Sequence, residues 1–356
     1  MALVSIRLRN FRTYKDETFE LDPGVNIIVG PNTSGKTNLL EALQLITIGK
    51  SHRGLGDDVV AFNKPWARLD IDEESNPRTL KIELTADTKA RTTFIINKQS
   101  SLRLSSSKTI PIVLFEPNHL QLLTGRPQLR RDFLDDLIEQ IKPEYKKVRS
   151  GYLRTLAQRN NLLKKSTQFI NKQIFAWDVR LSDLAGQTVK ARSELINNFN
   201  EDLPKLYKQL SQTKTNVQLV YQTNPDVKKF QAQYIKLLQK DLELDRLRGF
   251  TGRGPHRDDS VVLINNRPAL EVASRGEIRT ILLALKILEV KLIEKVRGQK
   301  PLLLLDDVFS ELDGRRRQAL TKFLKNYQTF ITTTDADVVL QHFVESCHII
   351  PLAQKH

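Results

Sequence analysis

Residues 30 to 37 read Gly-Pro-Asn-Thr-Ser-Gly-Lys-Thr, the spacing G-x-x-x-x-G-K-[ST] of a loop that cradles phosphate. Gly30 and Gly35 let the backbone turn and come close to a ligand. The loop N–H groups and the start of the following helix then point at an anion. Lys36 would reach the β- and γ-phosphates, and the Thr37 hydroxyl would take Mg²⁺. A second set of candidates sits at Asp306 and Asp307, which end the apolar run Leu302-Leu303-Leu304-Leu305. A buried parallel strand delivers such carboxylates to the edge where ligands gather. Asp306 would hold Mg²⁺. Asp307 would accept hydrogen bonds from an attacking water and act as general base. A third site is Ser274-Arg275-Gly276-Glu277, where Ser274 and Glu277 have the spacing of a capping box at a helix start. That helix start is also an anion site. Ser310-Glu311-Leu312-Asp313 follows the two acids.

These residues need particular elements to position them. Val25-Asn26-Ile27-Ile28-Val29 has the composition of a buried strand, and Asn38 to Leu43 carries helix formers at helical spacing. Strand, loop and helix is the arrangement that the phosphate loop requires. Short β-prone runs recur at 67–71, 80–85, 91–96 and 110–115, and the Ser-rich stretch 99–108 is expected to be a mobile loop. From Glu116-Pro117 the pattern turns helical, with periodic segments at 129–141, 145–163 and 174–210 and one returning strand at 216–221. Residues 260–264, 302–305 and 330–334 read as strands, and 276–296 as one amphipathic helix. The expected organisation is an α/β lobe of residues 1–115 and 251–356, split by a mainly helical lobe at 116–250.

The chain of 356 residues is 40% hydrophobic and 27% charged, a globular composition. Its 56 Lys and Arg exceed its 41 Asp and Glu, a net +15 that points to a polyanionic partner, nucleic acid first. Lys146, Lys147, Arg149, Arg154 and Arg159 crowd one helical segment and are candidates for phosphate contacts. Few aromatics interleave with them, which favours backbone contacts over base stacking. The single cysteine, Cys347, excludes a disulfide framework and a Cys-rich zinc site. No run of eighteen apolar residues and no signal-peptide pattern is present, so a cytoplasmic protein is expected.

The order of the motifs, from Gly-Pro-Asn-Thr-Ser-Gly-Lys-Thr-Asn-Leu-Leu-Glu-Ala through Ser-Arg-Gly-Glu to Leu-Leu-Leu-Leu-Asp-Asp and Ser-Glu-Leu-Asp, resembles the ABC-type ATPase head of SMC and DNA-repair ATPases. It is more narrowly similar to the RecF family. The matching residues are Leu8-Arg9-Asn10-Phe11-Arg12-Thr13-Tyr14, Pro127 to Asp135, and Thr251 to Asp259, which contains Gly-Pro-His-Arg-Asp-Asp. The resemblance implies a P-loop head of mixed sheet and helices with an inserted helical lobe. It implies ATP and Mg²⁺ sandwiched in a two-fold dimer. Gly30, Pro31, Asn32, Thr33, Ser34, Gly35, Lys36, Thr37 and Asn38 of one copy, with Arg12, would hold the nucleotide. Ser274, Arg275, Gly276 and Glu277 of the other copy would close over it, with Ser310 and Asp313 lying across the interface. It implies ATP-dependent binding of DNA near single-strand–duplex junctions and work with RecO and RecR in loading RecA.

The departures from the family pattern carry expectations of their own. Thr33 stands where the family usually has Gly, and fits only if that position does not need a positive φ. Arg275 and Glu277 replace two glutamines. Asp307 is one methylene shorter than the Glu of transporter heads, and Thr332-Thr333-Thr334-Asp335 lacks their switch histidine. Slow hydrolysis is expected, with ATP as a switch. Gln121 is the candidate for the family's glutamine contact. His256 and Arg257 match a motif whose role spacing does not give. The competing function is an SMC-like structural or defence ATPase that clamps a protein. A kinase would need neither Ser-Arg-Gly-Glu nor Ser-Glu-Leu-Asp, and a GTPase would need a base-reading Asn-Lys-x-Asp, which is absent.

Overall fold

Alternation of apolar and polar residues starts the chain as a strand, and in the computed structural model that strand founds an antiparallel sheet. The structure describes residues 2–51, 53, 57–73, 77–85, 90–165, 170–335, 339, 341, 343 and 347–353. The first segment contains β1 (Leu3–Phe11), β2 (Tyr14–Glu20), β3 (Val25–Val29), α1 (Lys36–Ile48), β4 (Trp66–Glu73), β5 (Arg78–Leu84), β6 (Ala90–Ile96), β7 (Gln99–Ser101) and β8 (Ile112–Phe115). Then come α2 (Gln121–Thr124), α3 (Pro127–Ile141), α4 (Tyr145–Leu163), α5 (Ile170–Ser211), β9 (Val217–Gln222), α6 (Phe230–Lys240), α7 (Leu242–Arg248), β10 (Asp259–Ile264), β11 (Arg267–Pro268), α8 (Ala269–Val272) and α9 (Arg275–Arg297). The chain finishes with β12 (Leu302–Asp306), α10 (Val308–Glu311), α11 (Gly314–Leu324), β13 (Thr329–Thr333) and β14 (Cys347–Pro351).

Two units result: Met1–Pro117 with Val290–His356, and Asn118–Glu289. In the first, an antiparallel sheet of order β2-β1-β4-β5-β6-β7 faces a parallel sheet of order β14-β3-β13-β12-β8. Helix α1 packs on strands of both and is buried along most of its length. The core joins Ile6, Leu8, Leu69 and Ile82 of the first sheet, Leu39, Leu43 and Ile46 of α1, and Ile28, Leu304 and Phe330 of the second. A helix wedged between two sheets cannot shift without opening apolar surface, so the loop that precedes it is held firmly.

Within 99–108, expected as a loop, Gln99–Ser101 form β7 and Ser106–Lys108 a 3-10 turn, while residues 102–105 are irregular. The cause is Asn97-Lys98, both at positive φ (50° and 65°), the two-residue turn that matches strand twist and folds β7 onto β6.

The second unit holds α3, α4 and the 42-residue α5 around the sheet β11-β10-β9. Residues 251–289, expected with the α/β lobe, group here because β10 pairs along its whole length with β9. The family-like motifs turn out to clasp one another. Arg130 forms a two-pronged ion pair with Asp259 (2.7 and 2.8 Å), and Arg131 donates to the Asp258 carbonyl (2.6 Å). Arg192 binds Asp135 at both prongs (2.8 and 2.9 Å) and the Pro255 carbonyl (2.7 Å). His256 sits inside the clasp. Its Nδ1 faces the Tyr152 hydroxyl at 2.6 Å and its Nε2 the Thr251 carbonyl at 3.0 Å. A carbonyl can only accept, so Nε2 carries the proton and Nδ1 accepts from Tyr152. Burial holds the His256 pKa down at about 4. Gly254, at φ 125°, is packed so closely that a Cβ would lie 2.2 Å from the Tyr234 hydroxyl.

Candidate nucleotide site

The site grows from the end of β3. There the chain must turn sharply, and Gly30 leaves no room for a side chain: a Cβ would lie 2.5 Å from Ser34 Oγ and 2.8 Å from the Leu352 carbonyl oxygen. Gly35, at φ 101°, precedes α1, and its carbonyl accepts from the Tyr14 hydroxyl at 2.9 Å. Lys36 folds back so that Nζ donates to the Gly30 and Pro31 carbonyls at 2.8 and 3.0 Å. Thr33 adopts φ 70°, contrary to the condition that its identity sets. Its hydroxyl bonds the Asn32 carbonyl, a local partner that offsets part of a strain of about 1–2 kcal/mol.

Beside the start of α1, β12 delivers Asp306. Thr37 Oγ1 donates to Asp306 Oδ1 at 3.2 Å, and Thr332 Oγ1 donates to the same oxygen at 2.7 Å. Thr332 is fully buried and also accepts from the Asp307 backbone N–H at 3.0 Å. Asp307 sits in the left-handed region at φ 50°. Burial and the neighbouring Asp306 charge push its carboxyl pKa up, against a smaller opposing pull from Lys36. A carboxylate so raised takes a proton from water more readily than an ordinary one.

Three features fit a nucleotide with Mg²⁺. Helix α1 has no side-chain cap and no acid in its first turn, so its leading N–H groups suit an anion. Ser34 Oγ is buried without a hydrogen-bond partner. Thr37 and Asp306 supply two hard oxygen donors, and no larger acidic or histidine cluster occurs among the described residues.

The tip of the β1–β2 hairpin is stapled to α1. Arg12, at φ 50°, donates from Nε and Nη2 to the two oxygens of Glu41 (2.9 and 2.8 Å), and its Nη1 pairs with Asp58. Glu41 is fully buried and also accepts from Ser51 Oγ at 2.7 Å. Asn38 Nδ2 donates to Thr13 Oγ1 at 3.2 Å. Sequence reasoning named Arg12 and Asn38 but missed Glu41, Asp58, Tyr14 and Thr332. The signal for Glu41 was there, an acid inside the apolar stripe of Leu40 and Leu43.

The second unit carries the Ser274 segment at the start of α9, and the capping box is formed. The Ser274 N–H and hydroxyl both donate to Glu277 Oε2 at 2.8 Å, and the Glu277 N–H donates to Ser274 Oγ at 3.2 Å. Ser274 and Arg275 are exposed, Gly276 and Glu277 half-buried. Ser310 lies in α10. Asp313 caps α11 by accepting the Arg316 N–H at 3.0 Å.

The basic candidates divide. Lys146, Lys147 and Arg154 are exposed on α4. Arg159 is not a surface charge: it is fully buried, paired with Asp178 (2.6 Å) and Asp245 (2.7 Å), and cannot reach a phosphate. Arg149 is enclosed by Asp132, Asp135, Asp136 and Glu139, so its charge is already matched within the unit. Gln121 opens α2 and is exposed. No helix among the described residues is long and apolar enough to cross a membrane.

Comparison with known proteins gives one family match and four individual ones. A family model described as the RecF/RecN/SMC N-terminal domain matches residues 2–354. The DNA replication and repair protein RecF of Streptococcus uberis is 36% identical over 347 residues, covering 96% of this chain and 95% of that protein. Its counterpart in Heliobacterium modesticaldum is 36% identical over 344 residues, covering 94% and 92%. Among solved structures, that of the recombination mediator protein RecF-ATPrS in the RecFOR pathway matches with a TM-score of 0.86 at 28% identity, over 98% of this chain and 95% of that one. An SMC head from Pyrococcus furiosus shares the fold, with a TM-score of 0.50 at 17% identity over 96% and 91%.

Proposed function

The chain belongs to the RecF family, and on that footing we propose that it is an ATP-dependent DNA-binding switch of recombinational repair and replication. The observation that carries this reading is the hydrogen-bonded row Thr37–Asp306–Thr332–Asp307 beside an uncapped α1. We read the two units as an ATP-binding lobe and a mainly helical lobe. In this reading Lys36, Thr37 and the loop from Gly30 to Asn38 bind and orient the triphosphate, and Thr37 and Asp306 hold Mg²⁺. Bound MgATP supplies the phosphoanhydride bond whose cleavage resets the switch. Asp307 takes the proton of the attacking water on its raised carboxylate. Its shorter reach, and the threonines at 332–334 where a switch histidine would be, make turnover slow.

A second copy would complete the pocket with Ser274, Arg275, Gly276 and Glu277, and Ser310 and Asp313 would lie across the two-fold interface. To meet a phosphate, the Ser274 hydroxyl must turn away from Glu277, so the capping box is itself part of the switch. Arg12 would either hold the hairpin tip against α1 or turn to the nucleotide when Asp58 releases it. The partner on the other side is DNA at gapped sites, with little sequence reading, in a cytoplasmic pathway with RecO, RecR and RecA. In support, the helical unit carries 30 Lys and Arg against 19 Asp and Glu, whereas the other unit has 26 against 22.

The test is binding of a gapped duplex with and without ATP over a range of salt. The reading requires ATP-dependent binding whose logarithm falls linearly with that of salt. Absence of DNA binding at low salt would support the rival, an SMC-like ATPase that clamps a protein.

A further inference from the structure

At the C-terminal ends of α4 and α7 the second unit presents a surface that neither the nucleotide site nor the ionic clasp uses. Leu244 is 44% exposed, Leu247 87% and Phe250 40%. Leu244 and Leu247 lie one helical turn apart, and Phe250 follows just past the turn at Gly249, which sits at φ 71°. Around them are six basic residues. Arg246 and Arg253 are matched by Glu243 and Asp241. Lys164, Lys165, Arg248 and Arg257 are exposed and have no carboxylate partner among the described residues. The stem of Lys164 lies against Gly249, where a Cβ would sit 3.7 Å from its Cγ and Cε. The Arg257 guanidinium lies over the Phe250 ring, 5.1 Å from its centroid. Leu242 packs with Leu163 and Ile174, which fixes the end of α4 beside α7.

We propose that this surface seats a single-strand–duplex DNA junction, with Lys164, Lys165, Arg248 and Arg257 on phosphates and Leu247 and Phe250 against the open face of the last base pair. The proposal rests on the DNA reading above and adds where the junction binds and what recognises it. Four unmatched cations repel one another and gain from a polyanion. The three apolar side chains need a different explanation, because a continuous duplex hides its base faces by stacking. A junction exposes one such face, planar and apolar, beside phosphates. Apolar wedges and aromatic–arginine pairs are the groups that cover such a face. An acidic protein segment is the competing occupant. It is less well matched, because the basic excess spreads over the whole unit, as a long polyanion requires, and is not confined to this patch.

The experiment uses the full chain with ATP and Mg²⁺, a gapped duplex with 2-aminopurine at the junction pair, and a continuous duplex of equal length. Leu247→Gln keeps a good helix former at an exposed position, so folding is not at stake. It should weaken gapped-duplex binding about 5- to 10-fold, leave continuous-duplex binding within about 2-fold, and abolish the 2-aminopurine signal. The double variant Arg248→Gln and Arg257→Gln should weaken both DNAs and lower the salt slope by about 2. If the wild type binds neither DNA, the DNA reading itself fails. If the wild type binds both and Leu247→Gln loses nothing on the gapped duplex, the junction seat is wrong and the DNA reading stands. Variants that bind both DNAs like wild type but lose a labelled Glu-, Asp- and Leu-rich peptide would assign the surface to a protein and overturn the proposal.

Discussion

Arg159→Ala separates a structural role from a DNA role. The guanidinium is fully buried and makes four hydrogen bonds: to Asp178 (2.6 Å), Asp245 (2.7 Å), Thr251 Oγ1 (2.8 Å) and the Leu238 carbonyl (3.4 Å). Removing it strands two carboxylates whose side chains are only 2% exposed. Breaking a buried pair in this way costs about 3–5 kcal/mol, because the surviving charge is left in a poor solvent. That is a large share of a domain's total of about 5–15 kcal/mol. With a urea dependence of about 3 kcal/mol per molar, the unfolding midpoint should fall by more than about 1 M. The assay is urea unfolding by circular dichroism, paired with DNA binding over a range of salt for the protein that remains folded. The salt slope should not change, since a residue out of contact with solvent releases no counterions. Arg154→Ala on the same helix is the mirror case: stability within about 0.5 kcal/mol, with any loss confined to DNA binding. An Arg159→Ala protein of wild-type stability whose salt slope drops by about 1 would refute the burial argument.

Three other expectations follow from the same geometry. His256 takes up a proton only near pH 4 when folded but near 6.5 when unfolded, so its contribution is complete above pH 6.5 and is lost as pH falls toward 4, by about 3 kcal/mol in all; His256→Gln should flatten stability over that window, and parallel pH profiles for the two proteins would count against it. Thr33→Gly removes the penalty at φ 70° while adding freedom to the unfolded chain, for a net gain of about 0.5–1 kcal/mol and a melting point about 2 °C higher, and a lower melting point would contradict the strain. Thr332→Val breaks both hydrogen bonds that hold Asp306 and Asp307, at about 1–3 kcal/mol, so Mg²⁺-dependent hydrolysis should fall about 10- to 100-fold while Mg²⁺-free nucleotide affinity holds and Thr332→Ser keeps the rate; wild-type hydrolysis in Thr332→Val with loss in Thr332→Ser would make Thr332 a packing residue only.

Much of the candidate nucleotide site was legible because its chemistry is local. Gly30, Gly35, Lys36 and Thr37 lie within one eight-residue segment, and Leu302 to Asp306 declares a buried strand by composition alone. The α4 boundaries at Tyr145 and Leu163 also follow from spacing. Arg159 misled because a run of basic residues was read without its helical phase. Tyr152, Thr155, Leu156, Arg159 and Leu163 share the buried face of α4, at the steps of three and four that mark a core stripe. The second unit's extent was not legible, because the pairing of β9 with β10 joins residues about forty apart and no local pattern selects that partner. Thr332 was hidden for a similar reason: in Thr332-Thr333-Thr334 only the strand register decides which hydroxyl meets Asp306.

The central claim is that one copy of the chain holds an incomplete pocket. Sedimentation of Asp307→Asn with ATP and Mg²⁺ tests it most directly, because on the proposed reading this variant should bind nucleotide without hydrolysing it. The protein should double in mass with ATP, stay single with ADP, and stay single with ATP once Ser274→Arg is added. A variant that remains single under saturating ATP, alongside wild-type turnover that persists at concentrations too low for any pairing, would contradict the account.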